Sequence, residues 1–127
     1  MPAPDPMAAF RPHYLRHSHI NDWLLWLLRR QRRFRVVGES MLPLLPPETE
    51  VLIRPGIYRR QFPCAGDLVV AEHPQRPGFH LLKWVVFVEA DGSCYVQGLN
   101  LSQSTDSRQF GLVPRDGLIG RVVCRFP

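Results

Sequence analysis

The sequence predicts a mainly β domain, a curved sheet or barrel-like core with one N-terminal amphipathic helix. Three observations lead there. Beyond residue 33, short apolar and β-branched runs recur at 34–37, 51–53, 68–71, 81–88, 94–96 and 118–126. Turn formers separate them, including Pro46-Pro47, Pro55-Gly56, Pro77-Gly78, Asp91-Gly92 and Asp116-Gly117. Only one stretch, 18–33, carries helical periodicity instead. The 127 residues suit one domain large enough to bury a core without covalent staples, and 45% apolar against 21% charged residues argues against wholesale disorder.

Residues 1–17 read as a flexible tail. Pro2, Pro4, Pro6 and Pro12 lie among small residues, a composition that resists helix and strand alike. They form no secretory signal, because the arginines follow the apolar stretch and do not precede it. Over 18–33, Ile20, Trp23, Leu24, Leu27 and Leu28 fall on one helical face. Ser18 or Asn21 would cap its start, and the arginines crowd its end, where the helix dipole favours cations. Two readings of this helix stand: it docks on its own domain, or it lays Trp23, Trp26 and the leucines into lipid headgroups as a peripheral membrane contact. The longest uninterrupted apolar stretch, 23–28, falls far short of the ~20 residues that span a bilayer.

The body, 34–127, then follows as strands, with Asp91-Gly92 between two runs as a hairpin signal. Nonlocal pairing of about six strands closes the expected barrel-like core.

Charge is placed unevenly. Residues 1–36 carry seven arginines against Asp5 and Asp22, whereas 37–127 balance nine basic against nine acidic groups, so the whole net charge of +5 sits in the N-terminal segment. A nucleic-acid-binding body would spread cations over a face, and this body is neutral, which excludes nucleic acid as the expected partner. Cys64, Cys94 and Cys124 are odd in number without a C-x-x-C pair, which argues against a disulfide framework or structural zinc.

Of sixteen basic residues only Lys83 is a lysine, and it stands in the apolar run His80-Leu-Leu-Lys-Trp-Val-Val-Phe-Val. Burial disfavours the ammonium, and a desolvated neutral lysine can act as a general base; the alternative is an edge-strand lysine turned to water. Ser40, in Val36-Val-Gly-Glu-Ser-Met-Leu-Pro, follows a β run that ends at Gly38, a place where a turn can present a hydroxyl beside backbone N–H groups. The alternative there is an ordinary turn serine. A third segment, Gly98-Leu-Asn-Leu-Ser-Gln-Ser-Thr-Asp-Ser-Arg-Gln-Phe-Gly, is a polar loop in which Asp106 and Arg108 can pair and Ser102, Ser104 and Ser107 offer hydroxyls.

The Ser-Met-x-Pro box, Gly66-Asp67 opening a β run, a lysine in an apolar strand and then Gly-x-Asn-x-x-x-Ser-x-Asp-Ser-Arg-x-Phe-Gly, in this order, resemble the catalytic domain of type I signal peptidases, which are serine/lysine endopeptidases. The resemblance runs from residue 34 to about 123. It implies Ser40 as nucleophile, Lys83 as general base, Ser104 as the hydroxyl that orients the lysine, Asp106 and Arg108 as a supporting pair and Asn100 as the asparagine of the box. Leu99 stands where many relatives carry aspartate. Gly38 stands where some place an oxyanion-binding hydroxyl, so the oxyanion would rely on backbone N–H, chiefly that of Ser40. No metal or other cofactor is implied; His17 and His19 alone read as solvent-exposed.

The short segment ahead of Ser40, without an apolar span, makes the chain most similar to the nickel-type superoxide dismutase maturation proteases. The resemblance then implies removal of an N-terminal leader peptide from a precursor protein, nickel-type superoxide dismutase, in the cytoplasm or peripherally at the membrane. The alternatives are a minimal membrane-associated type I signal peptidase, and a self-cleaving repressor-type or noncatalytic binding module.

Overall fold

The computed structural model describes residues 16–17 and 31–126. Among the described residues there are seven strands: β1 (Arg16–His17), β2 (Arg32–Arg35), β3 (Glu50–Pro55), β4 (Leu68–Glu72), β5 (His80–Val88), β6 (Cys94–Gln97) and β7 (Leu118–Arg125). They form one sheet in the order β2-β3-β7-β4-β5-β6, antiparallel throughout, with β1 added to β7 in parallel. Among the described residues one short α-helix, α1 (Ser107–Phe110), lies between β6 and β7.

The sheet is open, which corrects the expectation of a closed, barrel-like core. Closure would need the two ends of the order, β2 and β6, to pair, and among the described residues they do not. The last strand instead enters the middle of the sheet: one edge of β7 pairs β3, while its other edge pairs β4 at its start and β1 at its end. Gly120 permits this insertion, because a Cβ there would lie 2.8 Å from the carbonyl oxygen of Arg54 on β3.

Both faces of the sheet are covered. Leu68 and Val70 pack with Met41, Leu45, Val51, Ile53, Trp84 and Val122 on one side. Val69 and Ala71 pack with Val85, Val96, Phe110, Val113 and Leu118 on the other. A strand buried on both faces reads as an unbroken apolar run, and β4 does. Each fully buried aliphatic side chain contributes roughly 1.5–3 kcal/mol, so the two cores together anchor the loops that leave the sheet.

The run at 34–37 is displaced upstream in the structure, to Arg32–Arg35. Cross-strand charge accounts for it: Arg33 Nε donates to Glu50 at 3.1 Å, Arg35 reaches Glu48 at 3.3 Å, and the Arg33 guanidinium lies over the Phe126 ring. Arg32 and Arg33 are therefore strand, where the helix over 18–33 was expected to end. Gln31, just ahead of β2, is a buried bend, and residues 18–30 of that helix lie outside the described residues. So does the tail over 1–17, apart from Arg16 and His17, which pair with Cys124 and Arg125.

The hairpin at Asp91-Gly92 joins β5 to β6. Gly92 takes φ 89°, its N–H donates to Glu89 O at 2.9 Å, and Asp91 Oδ1 accepts the Ser93 N–H at 2.9 Å. Cys94 and Cys124 are buried and Cys64 is exposed.

Candidate active site

The loop that carries Ser40 leaves the sheet after β2 and is closed at its base by Val36, whose N–H donates to Thr49 O at 2.8 Å and whose carbonyl accepts from Glu48 N–H at 2.9 Å. Gly38 turns the chain at φ 80° with no atom within 4 Å of where a Cβ would stand, so the backbone angle and not crowding selects glycine. Two residues pull the other half of the loop inward: Met41 and Leu45 are fully buried. Ser40 is thus held half-buried between an exposed Glu39 and a core methionine.

Lys83 comes from the middle of β5, opposite Val69, and is 3% exposed. It therefore does not take the water-facing edge position that was its alternative. Its Nζ donates to Ser104 Oγ at 3.1 Å. That hydroxyl is saturated, since it also accepts the Gly98 N–H at 3.1 Å and donates to Asp106 Oδ2 at 2.7 Å. Desolvation is the chief reason that the Lys83 pKa falls from 10.5 to about 8; nearby Asp106 opposes the fall and Arg108 adds to it.

Asp106 is fully buried. Burial alone would raise its carboxyl, yet hydrogen bonds from Arg108, Ser104 and the Gly98 N–H hold it below the ordinary carboxylate range. Arg108 Nε reaches Oδ1 at 2.9 Å, and Arg108 Nη2 also donates to the carbonyls of Leu101, at 2.6 Å, and Ser104, at 3.2 Å. The same carboxylate caps α1 in a reciprocal box with Gln109. One buried charge thus fixes the loop, the helix and the Ser104 hydroxyl together.

Asn100 ties this loop to the Ser40 turn. Its backbone N–H donates to Ser40 O at 2.8 Å and its side-chain Nδ2 to Glu39 O at 3.1 Å. Leu99, in the aspartate position of many relatives, is 7% exposed and packs in the core beside Met41.

Two residues contribute more than their place in the motif suggested. At Gly98 a Cβ would lie 2.4 Å from Ser104 Oγ and 2.6 Å from Ser40 O, so the lysine's partner and the backbone of Ser40 converge on a point that only glycine leaves empty. Register explains why Lys83 is near: the last recorded pair is Trp84↔Gln97, one step short of Lys83 and Gly98. Ser107, buried in α1, accepts the Val96 N–H of β6 at 2.8 Å and so fastens the loop to the sheet. A cavity of about 1120 Å³, lined by Arg32, Tyr58, Arg59, Asp91, Arg115 and Asp116 among others, includes none of these residues.

Over residues 88–126 the chain matches the family described as signal peptidase, peptidase S26. It is 36% identical over 110 residues to the mitochondrial ATP-independent inner membrane protease subunit 1b of Arabidopsis thaliana, with 69% of this chain and 65% of that protein covered. Subunit 1a of the same plant protease is 30% identical over 112 residues, covering 71% of this chain and 67% of the relative. The chain belongs to the signal peptidase family. The mitochondrial inner membrane protease subunit 1 of Xenopus tropicalis is 29% identical over 118 residues, covering 72% of this chain and 71% of the relative. The chain spans about two thirds of the length of these signal peptidase relatives.

The names of the relatives leave two narrower expectations without support. These relatives are named as inner membrane protease subunits, not as nickel-type superoxide dismutase maturation proteases, so the membrane-associated alternative fits better than the nickel-enzyme reading. Their names likewise give no support to a cytoplasmic location. Among the described residues no helix is long and apolar enough to cross a membrane.

Proposed function

We propose that this chain is a serine endopeptidase of the signal-peptidase type, with Ser40 as nucleophile and Lys83 as general base, and that it removes a leader segment from a precursor polypeptide at a membrane surface. The observation that carries the reading is the convergence at Gly98: the Ser40 carbonyl and the hydroxyl that holds Lys83 both lie within 2.6 Å of one point.

The chemistry follows from the groups present. With one N–H given to Ser104, a neutral Lys83 keeps its lone pair for the Ser40 proton. Ser40 Oγ bonds to the scissile carbonyl carbon, the carbonyl electron pair moves to oxygen, and backbone N–H, chiefly that of Ser40, receives the oxyanion. The lysine then returns the proton to the leaving amine as the C–N bond breaks, and it activates the water that releases the acyl group. Asp106 and Arg108 hold Ser104 in place and touch none of the reacting atoms.

A membrane setting draws support from the printed names of the relatives and from the Trp, Leu and Arg pattern over 18–33. Val37, three residues ahead of Ser40, is 83% exposed and leaves an apolar side chain on the surface close to the serine in sequence.

The test compares wild type with Ser40→Ala and Lys83→Met, each coexpressed with a set of membrane-targeted precursors whose N-termini are read by mass spectrometry. New N-termini made by wild type alone are the expected result; identical N-termini in all three overturn the dyad. Flotation with anionic vesicles, weakened in Trp23→Glu plus Leu27→Glu, is the outcome expected of the membrane setting.

A further inference from the structure

Asn100 holds both peptide groups that flank Ser40. Its Nδ2 binds the Glu39 carbonyl at 3.1 Å, and its backbone N–H binds the Ser40 carbonyl at 2.8 Å. Among the described residues the cis peptide is Leu42-Pro43, so the Glu39–Ser40 peptide is trans. In a trans peptide the C=O and N–H point in opposite directions. A hydrogen bond that fixes the Glu39 carbonyl therefore also fixes where the Ser40 N–H points, away from Asn100.

The side-chain amide is itself oriented. Ser102 Oγ donates to Asn100 Oδ1 at 3.3 Å, which leaves Nδ2 to face Glu39, and the Gln103 N–H donates to the Asn100 carbonyl at 3.0 Å. Glu39 is exposed, and the turn that holds it contains Gly38 in a left-handed conformation with open space around it. The Leu42 N–H also reaches the Glu39 carbonyl from within the turn, at 3.2 Å, so the amide of Asn100 is the one hold on this peptide that comes from the opposite loop.

We infer that Asn100 is a positioning residue for the oxyanion, acting through the Glu39 carbonyl to aim the Ser40 N–H at the reacting oxygen. The inference rests on the proposed serine/lysine mechanism. In the step concerned, the Ser40 Oγ–carbon bond forms, the carbonyl π pair becomes a lone pair on oxygen and the Ser40 proton moves to Lys83. The N–H set by Asn100 meets a full negative charge only after that movement, so its orientation acts on the rate of attack and not on substrate binding.

The experiment uses the full chain, the internally quenched peptide that wild type cuts fastest from a random-sequence library, and a peptide aldehyde made from its acyl half. Asn100→Ala is expected to lower kcat about 10–100-fold, less than the ~10²–10³-fold for outright removal of an oxyanion donor, because the Ser40 N–H is misdirected and not deleted. KM should stay within about twofold, and the aldehyde, whose Ser40 adduct carries the oxygen charge, should lose affinity by the same factor as kcat. The pH midpoint of kcat/KM should stay where wild type has it, because the Lys83–Ser104 contact is left intact. Ser102→Ala, which frees the amide without removing it, should move kcat and aldehyde affinity in the same direction by a smaller factor.

Unchanged kcat in Asn100→Ala overturns the inference, as does a loss confined to KM or a shifted pH midpoint. Should Asn100→Ala fail to fold, Ser102→Ala decides on the same readouts. Failure of wild type to cut any library peptide or bind the aldehyde overturns the proposed mechanism itself and is distinct from failure of the inference.

Discussion

Lys83 Nζ and Ser104 Oγ stand 3.1 Å apart in a site where the lysine is 3% exposed and the serine gives its own proton to Asp106. The contact is one-directional: the hydroxyl has no proton left for the amine, so it can only accept from it. Ser104→Ala removes the group that aims the lysine and takes one donor from a fully buried carboxylate. We expect kcat/KM to fall about 10²–10³-fold, the scale on which positioned proton transfer acts. Stability should fall by about 1–3 kcal/mol for the donor lost to Asp106. Peptide cleavage and urea unfolding measure the two effects separately, and cleavage within threefold of wild type would remove Ser104 from the mechanism.

The same burial fixes the sign of the pH dependence. A base works deprotonated, so with Lys83 as the proposed base and its pKa at about 8, most of the protein should be protonated and inactive at pH 6. The ratio kcat/KM should therefore climb roughly tenfold per pH unit below the midpoint and flatten above about pH 9. Asp106 raises the lysine pKa and Arg108 lowers it. Asp106→Asn should accordingly move the midpoint to lower pH, whatever it costs in rate. A midpoint near 10.5 in wild type, the value of an ordinary lysine, would contradict the desolvated site.

A depressed lysine pKa is also a statement about stability. The unfolded chain binds the proton more tightly than the folded one, so the cost of holding Lys83 is present in full below about pH 8 and vanishes as pH rises toward 10.5. The shift corresponds to about 3 kcal/mol at neutral pH, of which the lost Ser104 contact takes back a part. Lys83→Met should thus be inactive and more stable than wild type by about 1–3 kcal/mol at pH 7, with the advantage shrinking as pH is raised. Guanidinium unfolding at pH 7 and pH 9.5 checks both sign and trend; a mutant less stable than wild type at pH 7 would run against them.

The strands and the chemistry were legible in the sequence to different depths. The runs at 51–53, 68–71, 81–88, 94–96 and 118–126 lie in β3 to β7 because apolar and β-branched residues bounded by turn formers have few other places to go. The run at 34–37 was misplaced, since Arg33 and Arg35 are held in the strand by ion pairs with Glu50 that depend on register across the chain, while Val37 ends 83% exposed. Sheet closure was not legible for the same reason: the insertion of β7 between β3 and β4 is a long-range fact, carried locally by nothing more than Gly120. At the site, Ser40, Lys83, Ser104, Asp106 and Arg108 could be picked out as residue types in order. The saturated hydroxyl, the double hold of Asn100 and the empty point at Gly98 exist only once the loops have met.

That empty point makes the sharpest mutational prediction. A methyl group at Gly98 would stand 2.4 Å from Ser104 Oγ, 2.7 Å from Ser104 Cβ and 2.6 Å from the backbone oxygen of Ser40. None of these neighbours can yield cheaply. Ser104 Oγ is held by Asp106, Gly98 N–H and Lys83 at once, and the Ser40 oxygen is backbone already bonded to Asn100. Something must shift, and either shift separates the Ser40 turn from the hydroxyl that holds Lys83. Gly98→Ala should cost about 1–3 kcal/mol as an overpacking change. Its effect on rate should be larger in proportion, about 10²-fold or more, because displacement by an ångström is enough to spoil an aligned attack. Gly38→Ala is the informative comparison, since it strains a left-handed turn but meets no atom within 4 Å. If crowding at Gly98 holds the two halves of the site in register, Gly98→Ala loses cleavage at temperatures where circular dichroism shows it folded; equal activity in Gly98→Ala and wild type would mean that the loops accommodate the methyl and that their close approach is not needed for the chemistry.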